Sequence, residues 1–243
     1  MIKDVFKGIT AYRHSFRLIN QLGLWKFYSI PIIISLLIGI SIGFSAWHFA
    51  DDLGSIISSL WIWEWGAETF AGLSTIMGGL LVLLLGLILY KHLIMAFSAP
   101  FMSPVSEKIE AHYFSDIHAH RQSNNISQLW RGIRINSRNL FWELLLTFCL
   151  FLLSFVPLLG FITTPLAFLV QAYYAGFGNI DYTLERHFRY NESVDFVKQN
   201  RGIAIGNGIV FMACLFIPVV GILIVLPLSV TAASKVTLER LQR

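Results

Sequence analysis

The stretch FYSIPIIISLLIGISIGFSAWHFA, residues 27–50, decides the fold, because it runs for 24 residues without a Lys, Arg, Asp or Glu. An α-helix of that length rises about 36 Å, which is enough to cross a hydrocarbon core about 30 Å thick. A second apolar stretch, residues 73–98, is long enough to do the same. The chain is therefore predicted to be an integral membrane protein with two long transmembrane helices.

The composition of the whole chain supports this prediction. Hydrophobic residues make up 56% of the 243 residues and charged residues only 13%, whereas a soluble domain carries about 25% charged residues. Backbone groups in lipid need internal partners, so only helices or a closed barrel can span a membrane. The apolar runs are long and continuous, unlike the short alternating strands of a barrel, and they predict an all-α fold.

The distribution of basic residues predicts the topology. Residues 51–72 contain four acidic residues, several Trp and no Lys or Arg. Cytoplasmic loops carry an excess of Lys and Arg, so residues 51–72 are predicted to face outside. The basic segments 1–26, 104–139, 181–201 and 235–243 are predicted to face inside. The net charge of +4 is explained by these basic segments and does not indicate nucleic-acid binding.

The N-terminal segment is predicted to form an amphipathic helix over residues 3–22. Its apolar residues recur at helical spacing and form one stripe, consisting of Val5, Ile9, Tyr12, Phe16 and Ile19. Lysines and arginines lie on the flank and the opposite face. Such a helix beside a span usually lies in the headgroup plane of the membrane, although packing on other protein is compatible with the same pattern.

The segment after the second span, residues 99–139, is predicted to be a separate cytoplasmic helical region. Ser103 would cap a new helix with Pro104 at its first position, which is a favoured helix start. Glu107 and Glu110 lie on that helix. They are expected to form ordinary salt bridges with nearby basic side chains, namely Lys108, Arg131 or Arg134.

The remaining sequence contains an internal repeat. FVPLLGFITTPL at 155–166 and FIPVVGILIVLPL at 216–228 share a Pro-x-x-Gly and a second Pro inside an apolar run. Pro and Gly break helices, so the repeat predicts two helical hairpins, at 140–180 and 203–234. The arms of the second hairpin reach only about 20–22 Å, short of the hydrocarbon core.

The hairpins are therefore predicted to insert partly, starting and ending on the cytoplasmic side. Backbone turns at membrane depth survive only beside protein or water, which indicates a homo-oligomer, a pore or both. Gly160 and Gly221 are predicted to hold a backbone conformation that Leu disfavours. Close helix contacts are also predicted at Gly39-x-x-x-Gly43 and Gly202-x-x-x-Gly206.

A glycine turn, Gly23-Leu24-Trp25-Lys26, joins the amphipathic helix to the first span. A helix start leaves backbone N–H groups unpaired at the positive end of the helix dipole. Lys26 adds a full charge, so this turn is a candidate oxyanion site. A glycine that merely joins two helices would give the same pattern.

Other site chemistry is not indicated. Asp116, His118 and His120, with His112 nearby, lie in a polar stretch without fixed helical spacing, so neither a metal nor a cofactor is predicted. Cys149 and Cys214 lie inside apolar runs without ligand spacing. The sequence contains no P-loop, GxSxG or HExxH motif, and the protein is not predicted to be an enzyme.

Several short motifs, taken in order, resemble a known family. They are Gly23-Leu24 before a span containing Pro31, the Ala99-Pro100-Phe101 junction leading to Glu107 and Glu110-Ala111, the stretch from Phe155 to Asp181-Tyr182 with its Pro-x-x-Gly turn, and the second Pro-x-x-Gly hairpin. In this order and spacing the chain resembles the CysZ family of bacterial sulfate permeases. The resemblance covers most of the chain.

The resemblance implies sulfate uptake across the bacterial inner (cytoplasmic) membrane by a multi-pass homo-oligomer that supplies sulfur for cysteine synthesis. It implies two long spanning helices and two partly inserted hairpins, and sulfate, sulfite or a related oxyanion as the partner besides the lipid bilayer. The family's Gly-Leu-Arg sulfate motif maps onto Gly23, Leu24 and Trp25, with Lys26 next. Trp25 and Lys26 stand where the family usually has Arg. The alternatives are a membrane scaffold without transport activity and an enzyme acting on lipid headgroups.

Overall fold

A computed structural model describes residues 1–62, 65–113, 124–156, 158–215, 217 and 220–242. All regular elements within these residues are helical, which confirms the all-α prediction. The helices are α1 Ile2–Thr10, a 3₁₀ helix Ala11–His14, α2 Ser15–Gln21, α3 Trp25–His48, α4 Ala50–Ser58, α5 Ala67–Tyr113, α6 Asn125–Leu153, α7 Gly160–Leu184, α8 Tyr190–Gln199, α9 Arg201–Leu215 and α10 Val220–Leu241.

Two of these helices, α3 and α5, are long and apolar enough to cross a membrane. Fewer than a fifth of the residues in the most apolar window of each are buried inside the protein. The core helix of a soluble protein would instead be mostly buried, so this exposed apolar surface suits lipid. The prediction of two candidate spans is therefore confirmed, with the first ending at His48 rather than at residue 50.

The chain divides into two compact units. Residues 35–91 form the small unit, and residues 1–34 with 92–243 form the large unit. In the small unit α4 packs on the first half of α5, where a Cβ on Gly54 would lie 2.6 Å from Thr75 Cα. The hydroxyls of Ser35 and Tyr90 form a hydrogen bond of 2.6 Å.

The predicted close contact at Gly39-x-x-x-Gly43 is wrong. A Cβ on Gly39 would meet only the Tyr90 ring at 3.9 Å, an ordinary contact distance. A Cβ on Gly43 would have no described atom within 4 Å. A glycine pair at i and i+4 permits close packing but does not require it, because a partner must also cross at that point.

The second predicted glycine pair does form a close contact, in the large unit. A Cβ on Gly202 would lie 2.7 Å from Asp4 Cβ, and a Cβ on Gly206 would lie 2.1 Å from Val5 O. The backbone of α1 therefore rests directly on α9, and any side chain at these glycines would push the two helices apart.

The N-terminal region is not one continuous helix. A 3₁₀ turn at Ala11–His14 separates α1 from α2, where residues 3–22 were predicted to be uninterrupted. Within the predicted apolar stripe Ile19 is fully buried, whereas the Phe16 side chain is 53% exposed. Much of the stripe thus packs on protein.

Helix α5 continues through Pro100 and Pro104 as far as Tyr113, so the prediction that Ser103 caps a new helix is wrong. Proline removes a backbone N–H and weakens the helical hydrogen-bond ladder. A neighbouring helix can supply other donors inside a membrane protein. Arg186, in the turn that follows α7, donates from Nη1 to Ser103 O at 2.7 Å and so ties this part of α5 to the end of α7.

The predicted separate region at 99–139 is divided between two longer helices. Its first part belongs to α5, and from Asn125 onward it belongs to α6, which runs without interruption to Leu153. Helices α6 and α7 are the arms of the first apolar repeat, and α9 and α10 are the arms of the second. Pro157 and Pro218, the predicted hairpin tips, lie outside the described residues.

The two arm pairs meet where α7 crosses α9. A Cβ on Gly176 would lie 1.9 Å from Ala204 O, and a Cβ on Gly208 would lie 1.7 Å from Ala172 O. Only glycine fits at such separations. The core of the large unit surrounds this crossing and includes Phe177, which is fully buried.

The predicted backbone role of the two repeat glycines is wrong. Neither Gly160 nor Gly221 has a positive φ; Leu158 does, at 71°. Among the described residues, a Cβ on Gly160 would meet only Ser154 O at 3.7 Å, whereas a Cβ on Gly221 would lie 2.1 Å from Cys214 O. Gly221 is therefore required by close packing, and no described atom crowds Gly160 at the start of α7.

Candidate oxyanion site

The glycine turn between α2 and α3 caps the C-terminal end of α2. Gly23 has a φ of +59°, a conformation that glycine adopts without steric penalty. The Gly23 N–H donates to Asn20 O at 3.3 Å, and the Leu24 N–H donates to Ile19 O at 2.9 Å. These bonds satisfy carbonyl groups at the end of α2, as a glycine C-cap does.

The start of α3 leaves fewer N–H groups for an anion than the sequence predicted. The N–H groups of Gly23 and Leu24 are already donated, and the Phe27 N–H donates to Leu24 O at 2.9 Å. The N–H groups of Trp25 and Lys26 have no acceptor among the described residues. These two donors lie at the positive end of the helix dipole, as the first N–H groups of a helix do.

The side chains of Leu24 and Trp25 fix the turn in place. Leu24 is fully buried. The Trp25 indole packs edge-on against Phe16 and Tyr28, with ring centroids 6.0 and 6.4 Å away. Its Nε1–H donates to Asn20 Oδ1 at 2.6 Å. The Trp25 side chain therefore orders the turn, and the backbone N–H of Trp25 keeps no acceptor among the described residues.

Two lysines converge beside this helix start. Lys26 Nζ lies 5.3 Å from the centroid of the Phe27 ring, and Lys108 Nζ of α5 lies 5.4 Å from the same centroid. Both side chains are exposed. Two ammonium groups at the positive end of a helix raise the local potential and attract anions. Sequence reasoning missed Lys108 because it placed that residue in a separate region.

Glu110 forms buried ion pairs next to this region. Its carboxylate lies 2.5 Å from Arg186 Nη2 and 3.2 Å from His187 Nε2. Arg186 also donates to Ser106 Oγ at 3.0 Å. The predicted partners of Glu110, on its own segment and on α6, are therefore wrong, and the partners seen in the structure come from the turn that follows α7.

Arg131 also forms a largely buried ion pair, with Asp181. It donates to both oxygens of Asp181 at 2.8 and 3.1 Å, and to Ser193 Oγ at 2.7 Å. Burial would lower the pKa of the guanidinium, but the Asp181 carboxylate outweighs burial and raises it. A charge this fully paired joins α6, α7 and α8 and is a poor candidate for binding an external anion.

A further set of buried polar groups lies along α7, α9 and α10. Asn179 Nδ2 donates to Asn207 Oδ1 at 2.8 Å, and Asn207 Nδ2 donates to Ser229 O at 3.0 Å. One turn into α3, the Tyr28 hydroxyl lies 2.8 Å from Thr231 Oγ1. Polar residues inside an apolar protein are costly unless paired and commonly mark functional regions of membrane proteins.

The described residues contain no group of three or more His, Cys, Asp or Glu that could hold a metal ion. Asp116, His118 and His120 lie outside the described residues. His112 lies in the last turn of α5. Cys149 and Cys214 carry free thiols.

Comparison with known proteins places the chain in a family. Residues 11–225 match the family described as sulfate transporter CysZ/etoposide-induced protein 2.4. A sulfate transporter CysZ from Pseudomonas fluorescens (strain Pf0-1) is 27% identical over 241 residues, covering 96% of this chain and 94% of the relative. One from Pseudomonas aeruginosa (strain LESB58) is 29% identical over 225 residues, covering 90% and 89%. Because the match extends over most of its length, the chain belongs to the sulfate transporter CysZ/etoposide-induced protein 2.4 family.

Proposed function

We propose that this protein imports sulfate across the bacterial cytoplasmic membrane and supplies sulfur for cysteine synthesis. The observation that carries the proposal is the start of α3, where the backbone N–H groups of Trp25 and Lys26 have no acceptor among the described residues and the Lys26 side chain is exposed. The names of the relatives, sulfate transporter CysZ, support sulfate as the substrate. The two candidate spans support a membrane location.

Sulfate capture uses the backbone as well as a side chain. The N–H groups of Trp25 and Lys26 donate to two sulfate oxygens, and the Lys26 ammonium neutralises part of the double negative charge. Hydrogen bonds involving a charged partner are worth about 1.5–3 kcal/mol each. Gly23 makes this possible, because its left-handed conformation ends α2 and turns the chain into α3.

Passage through the membrane follows the polar interior of the large unit. Tyr28 lies one turn beyond Trp25 and contacts Thr231 of α10, and the Asn179–Asn207 pair lies on the neighbouring helices α7 and α9. The arms α6/α7 and α9/α10 act as partly inserted hairpins. Turns at membrane depth need protein or water around them, so the working form is a homo-oligomer.

The proposed topology keeps the capture site on the cytoplasmic face. Residues 1–26, 104–139, 181–201 and 235–243 lie inside, and residues 51–72 lie outside, in accordance with the Lys and Arg distribution. The exposed part of the N-terminal region, including Phe16, rests on the membrane surface. A site on that face holds the anion at the inner end of the route, where sulfate is released into the cell.

Uptake of radiolabelled sulfate into vesicles containing the purified protein tests the proposal. The parent protein is expected to raise uptake above empty vesicles, and Lys26→Ala is expected to lower it. Lys198→Ala is the matched control, because Lys198 is an exposed lysine on α8 whose only described ion pair is with Asp195. Folded protein that gives no uptake would contradict transport and favour the scaffold alternative.

A further inference from the structure

An apolar groove opens on the surface of the large unit where α3, α5 and α6 meet. Its volume is about 370 Å³. Phe97 is 44% exposed and Ile126 is 75% exposed, so the groove is accessible from outside the protein. The apolar side chains that line it are Ile34, Phe97, Pro100, Phe101, Ile126 and Leu129. In a protein with membrane spans, an open apolar groove of this kind suits a hydrocarbon chain.

Two exposed lysines lie toward one end of this groove. Lys26 and Lys108 flank the Phe27 ring. Ile34 lies eight residues beyond Lys26 on α3, and Phe101 lies seven residues before Lys108 on α5. At 1.5 Å per residue, the groove begins about 10–12 Å along the helices from the backbone positions of the two lysines. An amphiphile with an anionic head and an apolar tail spans such a distance.

We propose that an anionic phospholipid binds here, with its phosphate at Lys108 and Lys26 and an acyl chain in the groove. Basic sites between helices at a membrane surface bind anionic headgroups. The apolar groove can contact the methylene groups of an acyl chain, whereas a free inorganic anion has no such groups. The proposal goes beyond sulfate transport, and the groove itself includes none of residues 23–26.

Lipid retention measured by native mass spectrometry tests this inference. Delipidated protein is exposed to phosphatidylglycerol or to phosphatidylcholine, and the bound lipid is counted. The parent is expected to retain more phosphatidylglycerol. Lys108→Gln should lower phosphatidylglycerol retention about fivefold and leave phosphatidylcholine unchanged. Leu129→Trp, which fills the groove, should lower retention of both lipids.

Matched variants separate binding from folding. Leu146→Trp makes the same change at an exposed leucine on α6 outside the groove, and it should retain both lipids as the parent does. Ile126→Asn, at a largely exposed lining position, tests the groove with little demand on folding and should lower retention of both lipids.

Two results would overturn the inference. One is equal retention of the two lipids by the parent protein, and the other is undiminished retention by both groove variants. The measurement contains no sulfate, so its outcome does not depend on the proposed transport. Conversely, Leu129→Trp should bind sulfate with the affinity of the parent, and the two proposals can fail separately.

Discussion

The two compact units differ in what they bury. In the small unit, residues 35–91, large apolar side chains such as Ile40, Phe44 and Leu80 are more than half exposed, as suits contact with lipid. The large unit also exposes apolar side chains such as Phe161, but it encloses several paired charged groups, including the Arg131–Asp181 pair, where the small unit buries Lys91. The exposed apolar surface of the small unit suits contact with lipid, and the large unit contains most of the buried polar and charged groups.

This comparison also shows where single substitutions should matter. Removing a methyl group from a side chain that faces lipid changes little, because lipid fills the space. Removing one partner from a buried ion pair leaves an uncompensated charge in a medium of low dielectric constant.

The largest effect is expected when the Arg131–Asp181 pair is broken. Asp181→Asn should destabilise the protein by about 3–5 kcal/mol, because the buried guanidinium loses its counter-charge. Denaturation of the purified protein in detergent measures the change. The control is Asp195→Asn on α8, whose pair with Lys198 is exposed on both sides and should contribute under about 1 kcal/mol. Equal effects of the two variants would show that Arg131 is not buried as described.

The next effect concerns sulfate at the start of α3. Lys26→Ala should weaken sulfate binding by about one to two decades, because a charged contact worth about 1.5–3 kcal/mol is lost. Lys26→Arg should restore or improve binding, since the guanidinium matches a tetrahedral oxyanion better. Trp25→Ala should weaken it less, because the backbone N–H remains. Calorimetric titration of the three variants gives these affinities.

The result for Lys26→Ala decides where the site lies. Binding as tight as in the parent would place sulfate elsewhere. Arg131 would not be the first alternative, because its donors already bind Asp181 and Ser193. Arg134 stacks on the Tyr190 ring at 4.0 Å. Lys108, which is exposed and lies beside the Phe27 ring, would then be the cation to examine.

A smaller difference in stability is expected between glycine substitutions in the two units. Gly208→Ala in the large unit should destabilise by about 1–3 kcal/mol or more, because the new Cβ would lie 1.7 Å from Ala172 O. Gly43→Ala in the small unit should be neutral or stabilise by up to about 1 kcal/mol, because it favours the helix and has open space. Thermal unfolding in detergent measures both. Similar losses at the two positions would contradict the packing described for the units.

The smallest effect is expected at the first repeat glycine. Gly160→Leu should change stability by less than about 0.5 kcal/mol, as a surface substitution does, because Gly160 has an ordinary φ and open space. Gly221→Leu should disrupt the contact between α9 and α10 through Cys214 O. Oligomer size and unfolding temperature report on both. A loss at Gly160 equal to that at Gly221 would mean that the two repeats share one turn geometry.

The sequence by itself determined the helical class, the two candidate spans and the glycine turn before α3. These properties are local, because hydropathy over about 20 residues decides whether a helix suits lipid, and a left-handed turn depends on a single glycine such as Gly23. The repeat likewise predicted the close pairing of apolar arms, since Pro and Gly interrupt helices wherever they occur in an apolar run.

Only the tertiary structure decided which polar groups meet. Lys108 lies beside the Phe27 ring although the two residues are 81 positions apart in the sequence. Glu110 pairs with Arg186 and His187, and not with basic residues that are closer to it in the sequence. Helix α5 continues through Pro104, and its Ser103 carbonyl oxygen accepts a hydrogen bond from Arg186 in the turn after α7. Which polar side chains meet depends on where and at what angle the helices cross. Hydropathy along the sequence carries no information about that crossing. The sequence alone therefore could not predict which charged side chains surround the candidate site.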